Sequence, residues 1–571
     1  MRGKKLTAWL LALVMAFTAP VCAYAAGTDS GRVVVTILHT NDVHGHFIAD
    51  GTSIGIAAVA AAKKLIPNAL LADAGDAIHG LPFATVNQGA DAVRLMEMAG
   101  YDVWTPGNHD FNYGYERLLA LTENSPIDLI SANINKDGVP LLPAAVIKET
   151  GGVRIGFFGL ATPETYYKTA PGNITGLTFT SPVEAAKEQT ARLKEAGADI
   201  IVALAHLGMN PSSGENTSTA LAEAVPDIDV IIDGHSHSDI PEGEVVNGVL
   251  IASALEYSKY IGVVTITLDR GKNFKGMIAS TLTPETAAEL YPPDAAVEAA
   301  VDKAAGEQDD LFNRVVGQSG VLLSAAREPG LRTQETPLGN LVADALLAGT
   351  GADIAFINGG ALRASLPLGF ITKKDIVTCL PFGNIGVGKY VTPVQLKALM
   401  ENGVSLLPAG HGGFPHIAGF SFTYDPARPV GNRVTSLVYK NAELDLTDNT
   451  TRLLLAVNDF TAAGGDQYFV LAGLDTAYEY NALDEMVAAY IQTTDKLYTA
   501  SEGRVAARAA YAAPAEPQKA RQVYTVAAGD ELWRIGRDFG VPYTAIAELN
   551  GIKNPDWIWP GQKLTIPRNP D

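Results

Sequence analysis

Five short stretches of this 571-residue chain collect side chains that bind metal ions: T40-N-D-V-H-G-H46, G75-D-A-I-H-G80, G107-N-H-D110, A205-H-L-G208 and G234-H-S-H237. Seven of the ten histidines lie in them. Asp42 and His44 stand two residues apart, as do His235 and His237, so in extended backbone each pair projects to one side. Asp76 offers two oxygens and suits a bridge between two cations. Asn108 adds a neutral oxygen, and His206, His235 and His237 add imidazole nitrogens. Mixed nitrogen and oxygen ligation suits Zn, Mn or Fe better than Ca or Mg, and Zn and Mn lead. Two such ions roughly 3.5–4 Å apart make a nucleophile of water at neutral pH and support in-line attack on phosphorus. His109, beside Asn108, is assigned to stabilising the transition state and protonating the leaving oxygen. Taken singly, each residue reads as a cap or a loop hydrogen-bonder; the joint pattern carries the metal reading. His39 reads as a strand residue and His79 as a loop-shaping one, and His46 stays unassigned.

These motifs need elements that present them together. Residues 32 to about 285 alternate β-branched or apolar runs (V33-V-V-T-I-L, I155-G-F-F-G-L, I200-I-V-A-L, V230-I-I-D) with alanine-rich helical stretches (54–64, 182–196). That alternation predicts an α/β fold with layered sheets, the motifs sitting where strands end. The charged stretch 292–316 reads as a helix bridging two domains. From about 321 to 507 a second α/β region follows, with helical patterns at 338–347 and 392–402 and strand-like runs I354-A-F-I and R452-L-L-L-A-V. Residues 508–521 are rich in Ala and Pro and read as a linker. Three of the five tryptophans fall in the last forty residues, marking a small separate module.

Residues 1–26 have a basic start, an apolar run from Leu6 to Phe17 and a small-x-small site at Ala23–Ala25, the pattern of a cleaved signal peptide. The expectation is an exported protein with no membrane span after cleavage. Cys379 is then the one remaining cysteine, so no intrachain disulfide is expected. Three of the 42 basic residues lie in the signal, leaving 39 against 62 acidic ones. A surface this acidic excludes polymeric nucleic acid as a partner, because that binding needs a basic footprint. A small anionic substrate remains open where metals and a few arginines neutralise it.

The five blocks resemble the calcineurin-like metallophosphoesterases. With the second region they resemble the bacterial secreted 5′-nucleotidase family, which also holds UDP-sugar hydrolases and 2′,3′-cyclic-nucleotide phosphodiesterases. The resemblance spans residues 32–507 and implies a four-layered metallophosphatase domain (32–290), an inter-domain helix (291–320) and a substrate-binding domain (321–507). It implies two divalent metal ions, one held by Asp42, His44, Asp76 and His237, the other by Asp76, Asn108, His206 and His235. Well-known members have Gln at the place of His237. N358-G-G-A-L-R363, L380-P-F-G-N384 and N458-D-F-T-A-A-G-G-D466 imply that Asn358, Arg363 and Asn384 contact substrate, that Phe382 and Phe460 sandwich a base, and that Asp466 binds ribose. From composition alone the two phenylalanines would read as core. Arg332 is also named as a candidate, while Gln334 stands where some members have a substrate-binding Arg. Asn112 stands where many members have an Asp that pairs with the catalytic His; it can orient His109 but cannot balance its charge. The F-N-Y-G wording there is similar to the cyclic-phosphodiesterase and 3′-nucleotidase branch.

Residues 523–567, with G529-D-E-L-W, L549-N-G and P560-G-Q-K-L-T-I, resemble a LysM domain. That implies a small βααβ fold binding peptidoglycan or another N-acetylglucosamine glycan. The expected function is a secreted, wall-associated nucleotide phosphohydrolase. The alternatives are a 2′,3′-cyclic-nucleotide phosphodiesterase with 3′-nucleotidase activity, a UDP-sugar hydrolase, and a catalytically silent wall-binding protein.

Overall fold

A computed structural model describes residues 32–507 and 522–566, apart from 528, 540, 542, 553, 556 and 557. The expected signal peptide, the linker 508–521 and Trp557 lie outside the described residues. The β-branched runs form the strands the alternation predicts. In chain order these are β1 (Arg32–Thr40), β2 (Ala69–Asp73), β3 (Val103–Trp104) and β4 (Asp128–Leu129). There follow β5 (Ala145–Thr150), β6 (Val153–Ala161), β7 (Ile200–His206) and β8 (Val230–Asp233). The series closes with β9 (Glu244–Val246), β10 (Val249–Ala252), β11 (Ile261–Asp269) and β12 (Phe274–Leu282). They make two six-stranded sheets, ordered β12-β11-β1-β2-β3-β4 and β9-β10-β8-β7-β6-β5.

Successive side chains of a strand leave on opposite faces, and here each face has its own core. Ile37, Val35 and Leu70 meet Phe157, Ile155 and Val202 between the sheets. Their neighbours Leu38 and Leu71 face outward, in one cluster with Val59 of helix α1 (Ile56–Leu65) and Leu95 of α2 (Ala90–Ala99). Phe158 and Ile201 face outward on the other side, clustered with Leu193 of α3 (Pro182–Glu195) and Leu221 of α4 (Ser218–Ala224). The result is helix, sheet, sheet, helix, the four layers expected. Helix α3 starts where Ser181 accepts the backbone N–H of Glu184 and Pro182 occupies the first turn, a cap worth about 1 kcal/mol.

Parallel pairing brings the motif-bearing ends together. Thr40 registers with Asp73, His206 with Ala161, and Ala205 with Asp233. The loops after β1, β2, β7 and β8 therefore leave the sheets at corresponding ends. The stretch expected to bridge the domains forms α5 (Ala295–Phe312), capped by Asp294. Its stripe Val297, Ala300, Val301 and Ala304 is buried in the same cluster as α1 and α2, so this helix completes the first domain's outer layer.

The second α/β region builds a five-stranded sheet from β13 (Ile354–Asn358), β14 (Ile385–Val391), β15 (Pro415–Ala418), β16 (Leu453–Asn458) and β17 (Tyr478–Ala482), ordered β15-β13-β16-β14-β17. Helices α6 (Pro337–Thr350) and α8 (Leu483–Thr493) share one cluster with Ile357, and α7 (Pro393–Gly403) shares another with Phe356. The tail folds as β18 (Gln522–Thr525), α9 (Leu532–Asp538), α10 (Tyr543–Leu549) and β19 (Lys563–Ile566), the two strands antiparallel. Leu532, Ile535, Ile546 and Leu564 form its core, and Trp533 and Trp559 are exposed. One compact unit runs to Tyr424 and resumes from Pro429 to Ala506, so it holds both α/β domains; the second comprises Asp425–Arg428 and the residues from Ala507. Among the described residues no helix is long and apolar enough to cross a membrane.

Candidate functional site

The strand-end loops are tied to one another before any ligand is considered. The Asp42 N–H donates to the Gly75 carbonyl and the His44 N–H to the Asp76 carbonyl, both at 2.9 Å. The glycines that precede the acidic and amide residues are sterically required. A Cβ on Gly107 would lie 2.2 Å from Asp76 Oδ1, and one on Gly75 would lie 2.5 Å from the Gly107 nitrogen. Asp42, His44, Asp76, His235 and His237 all have positive φ, between 48° and 76°.

Two groups of ligand atoms result, Asp42 with His44 and His237, and Asp42 with Asp76 and His206, the atoms of each lying within 4.8 Å of one another. His237 Nε2 lies 3.4 Å from Asp42 Oδ1, and His206 Nε2 lies 3.1 Å from Asp76 Oδ2. The same Asp76 oxygen is 3.8 Å from His44 Nε2. Asp76 thus lies between His44 and His206, as a bridge must, and Asp42 also reaches both groups.

Hydrogen bonds select which nitrogen faces inward. His206 Nδ1 donates to the Ala74 carbonyl (2.7 Å) and His44 Nδ1 to the His79 carbonyl (3.0 Å). Each leaves Nε2 as the nitrogen with a lone pair for a metal. Asn108 donates Nδ2 to the Lys168 carbonyl (3.3 Å). Its Oδ1 and His206 Nε2 are buried without a hydrogen-bond partner. An unpaired polar atom in such a place costs about 1–3 kcal/mol, and a divalent cation would satisfy Asn108 Oδ1 and take the place of the ion pair between His206 Nε2 and Asp76, so the residues fit a metal centre. His235 stands outside the two groups. Its N–H donates to the Asp42 carboxylate (3.0 Å), and its Nε2 meets Glu164 Oε2 at 3.0 Å, which leaves Nδ1 for a ligand.

The charges tell the same story. Burial alone would lower the His206 pKa, but the Asp76 and Asp42 carboxylates push it up to about 10. Burial would likewise raise Asp76, yet His206 and His109 hold it well below the usual carboxylate range.

His109 donates its backbone N–H to Asp76 Oδ1 (2.7 Å), and its ring lies 5.3 Å from that of His44. Burial holds its pKa well below the ordinary histidine value. Asn112 Nδ2 is 3.1 Å from His109 Nδ1, within hydrogen-bonding distance of the ring. His39 is a buried residue of β1, and His46 stacks on Tyr257 at 4.6 Å.

Three residues escaped the sequence reading. Asp110, fully buried, accepts the N–H groups of Asp76 (2.8 Å), Ala77 (3.0 Å), Ile78 (3.0 Å) and Gly107 (2.8 Å), clamping the Asp76 and Asn108 loops together. Burial and the Asp76 charge push its carboxyl up to about 6 against those donors. Its place inside G107-N-H-D110 was the available signal. Glu164, on the loop after β6, orients His235 and carried no local signal. Thr169 donates to Asn112 Oδ1 (2.7 Å) and carried none either.

The second set of residues meets elsewhere. A cavity of about 420 Å³ in the second domain is lined by Arg332, Asn358, Arg363, Phe382, Asn384, Phe460 and Asp466 among others. All seven expected substrate residues are therefore brought together, and no metal candidate lines the same cavity. Phe382 and Phe460 are 58% and 48% exposed, which overturns a core role for either. Arg363 lies over the Phe382 ring at 5.6 Å. Asn358 is buried; it donates to Asp466 Oδ2 (2.7 Å) and accepts from Asn458 (3.0 Å), so it holds the Asp466 carboxylate in place. Asn384 donates to Asp459 Oδ1 at 2.6 Å.

Comparison with known proteins matches residues 35–239 to the calcineurin-like phosphoesterase family, 315–473 to the 5′-nucleotidase C-terminal domain and 524–567 to the LysM domain. The chain is 30% identical, in an alignment 528 positions long that covers 82% of it, to the trifunctional nucleotide phosphoesterase protein YfkN of Bacillus subtilis (strain 168). It spans 35% of that protein's length and 41% of a second Bacillus subtilis relative's. It is also 30% identical to the 5′-nucleotidase precursor of Thermus thermophilus, over 83% of this chain and 99% of that one, with a TM-score of 0.49. The NAD nucleotidase of Haemophilus influenzae shares the fold, with a TM-score of 0.67 at 22% identity, over 84% of this chain and 100% of that one. The three matched domains place this protein in the 5′-nucleotidase family, as a calcineurin-like phosphoesterase domain joined to a 5′-nucleotidase C-terminal domain and a LysM domain.

Proposed function

We propose that this protein is a dinuclear-metal phosphohydrolase that releases phosphate from nucleotides, 5′-nucleotides first. The observation that carries the reading is the pair of ligand groups joined by Asp42 and Asp76, with buried unpaired atoms on His206 and Asn108. Two bound divalent ions, Zn or Mn, would supply an activated water and Lewis-acid stabilisation of the phosphoryl oxygens. Asp42, His44, Asp76 and His237 would hold one of them, and Asp76, Asn108, His206 and His235 the other. His109 has Nδ1 turned to Asn112, so Nε2 is the atom from which it donates a proton to the leaving oxygen. Phe382 and Phe460 stack the base and Asp466 accepts the ribose hydroxyls, while Arg363 and Arg332 balance substrate charge. Because the cavity belongs to the second domain alone, turnover requires that domain to carry its nucleotide to the metal residues.

Export by the segment 1–26 and glycan binding by the tail complete the proposal: an enzyme held at the cell wall through peptidoglycan or a similar N-acetylglucosamine glycan. Trp533 and Trp559 support it, since exposed indoles suit the faces of sugars. The second reading, a 2′,3′-cyclic-nucleotide phosphodiesterase with 3′-nucleotidase activity, is favoured by Asn112 in place of a carboxylate beside His109. Phosphate release from 5′-AMP, 3′-AMP, 2′,3′-cyclic AMP and UDP-glucose tests both, run with Mn or Zn and again after EDTA. Metal-dependent release from 5′-AMP supports the first reading and preference for cyclic or 3′ substrates the second. No release from any of them by metal-loaded protein sinks both.

A further inference from the structure

The loops that carry the two exposed phenylalanines of the second domain's cavity are tied together by one side-chain pair. Strands β14 and β16 are antiparallel, with Gly386 registered on Asn458, so the residues just before β14 and just after β16 meet. These are Asn384, two residues after Phe382, and Asp459, the residue before Phe460. Asn384 Nδ2 donates to Asp459 Oδ1 at 2.6 Å, and the same oxygen accepts the Phe460 N–H at 2.9 Å. Asn384 lines the cavity with both phenylalanines, whereas Asp459 does not. The other two asparagines of the lining are engaged within the protein. Asn358 bonds to Asp466 and Asn458, and Asn458 Oδ1 accepts the Thr461 N–H at 2.9 Å. Asn384 Oδ1 has no hydrogen-bond partner among the described residues.

We propose that Asp459 is a positioning residue for base selection. It fixes the polarity of the Asn384 amide, so that the cavity prefers bases with an exocyclic amine (adenine, cytosine) over those with an oxygen in the same place (hypoxanthine, uracil). The proposal rests on the reading of this cavity as the seat of a nucleotide base. A backbone N–H can only donate, so the Asp459 oxygen that receives the Phe460 N–H is an acceptor. The group that Asn384 turns to it must then be its NH₂. Turning the amide over would set oxygen against oxygen. Oδ1 is thereby kept for the ligand. The exocyclic substituent projects furthest from a stacked ring and is the group that a side chain at the edge of the slot meets. An amine donates to Oδ1. A carbonyl oxygen meets it as a second acceptor, and the Asp459 charge behind the amide adds to the repulsion. Without Asp459 the amide is free to turn and satisfies either substituent. Asp459 acts through Asn384 and touches no ligand itself.

The test measures binding of adenosine, inosine, cytidine and uridine to the full-length protein by calorimetry, beside phosphate release from the four 5′-monophosphates. In the wild type adenosine should bind about tenfold more tightly than inosine, and cytidine than uridine, the factor that one hydrogen bond made or lost allows. Asp459→Ala should bring both ratios within about twofold, chiefly by tightening inosine and uridine. Asp459→Asn keeps an oxygen able to accept the Phe460 N–H and the Asn384 NH₂, and should retain a preference for the amine of at least about threefold. Asn384→Ala should level the ratios by weakening adenosine and cytidine instead. Equal binding of adenosine and inosine by the wild type, a preference for the oxo bases, or a wild-type ratio in Asp459→Ala would overturn the proposal. If Asp459→Ala does not fold, Asn384→Ala decides, and an unchanged ratio there overturns it. Absence of any nucleoside binding overturns it together with the base-site reading. Discriminating nucleoside binding without phosphate release from any monophosphate would remove the phosphohydrolase reading alone.

Discussion

Replacing Asp110 by Asn tests how the metal loops are held. One oxygen of Asp110 takes the N–H groups of Ala77 and Ile78, the other those of Asp76 and Gly107. An amide keeps one acceptor and turns an NH₂ towards the other pair, so two buried N–H groups lose their partner. At about 1–3 kcal/mol each, and with some relaxation, the expected loss is about 3 kcal/mol. Against a typical total of about 5–15 kcal/mol this is a large fraction. For a domain of this size it corresponds to a fall in Tm of about 6–12 °C. Thermal unfolding of the EDTA-treated full-length variant measures it. Metal content after reloading should also fall, because Asp76 and Asn108 sit on the two loops that Asp110 joins. A Tm within about 2 °C of wild type with full metal content would refute the clamp.

Asp76→Ala should abolish phosphate release while glycan pull-down through the tail persists; loss of both would contradict separate modules. Deleting residues 523–571 should leave turnover of soluble nucleotide within about twofold, since the expected contribution of a lone glycan module is to localisation. Phe460→Ala should raise KM for nucleotides by about 5- to 150-fold, the range of about 1–3 kcal/mol for one stacked base, with phosphate release from p-nitrophenyl phosphate little changed. Burial opposes ionisation of Asp344, but Arg504, Lys496 and Tyr498 hold its pKa below the usual carboxylate value. A depressed folded-state pKa contributes stability that is present above about pH 4 and is lost as pH falls through the folded value. Asp344→Asn should therefore lower the urea midpoint at pH 7 more than at pH 3; an equal drop at both would deny the ion pair this role.

How much of this was legible depended on whether a residue's reason is local. The strands could be read because Ile37 and Leu38, or Phe157 and Phe158, belong to short, continuous apolar runs, as a strand buried on both faces requires. The candidate ligands were legible because Asp42, His44, Asp76 and His206 stand beside strand ends, where layered sheets converge. Glu164 and Thr169 were not, because each acts on a partner far away in the chain: His235 and Asn112. Their meaning is created by packing, and no spacing encodes it. His79, read only as a residue that shapes its loop, does that through its carbonyl to His44. Phe382 and Phe460 show the converse, since composition favoured the core and exposure placed them at a cavity.

The left-handed backbone at Asp42, His44, Asp76, His235 and His237 has a consequence for redesign. Asn, Asp and His are the non-glycine residues that enter this conformation most readily, and they are also oxygen and nitrogen donors. Coordination chemistry and chain geometry therefore filter for one short alphabet at these five positions. A thiolate or a longer carboxylate introduced to change the preferred metal would meet the backbone filter before the chemical one. Exchange among Asp, Asn and His is the natural route by which such a centre can be retuned, whether by selection or in the laboratory.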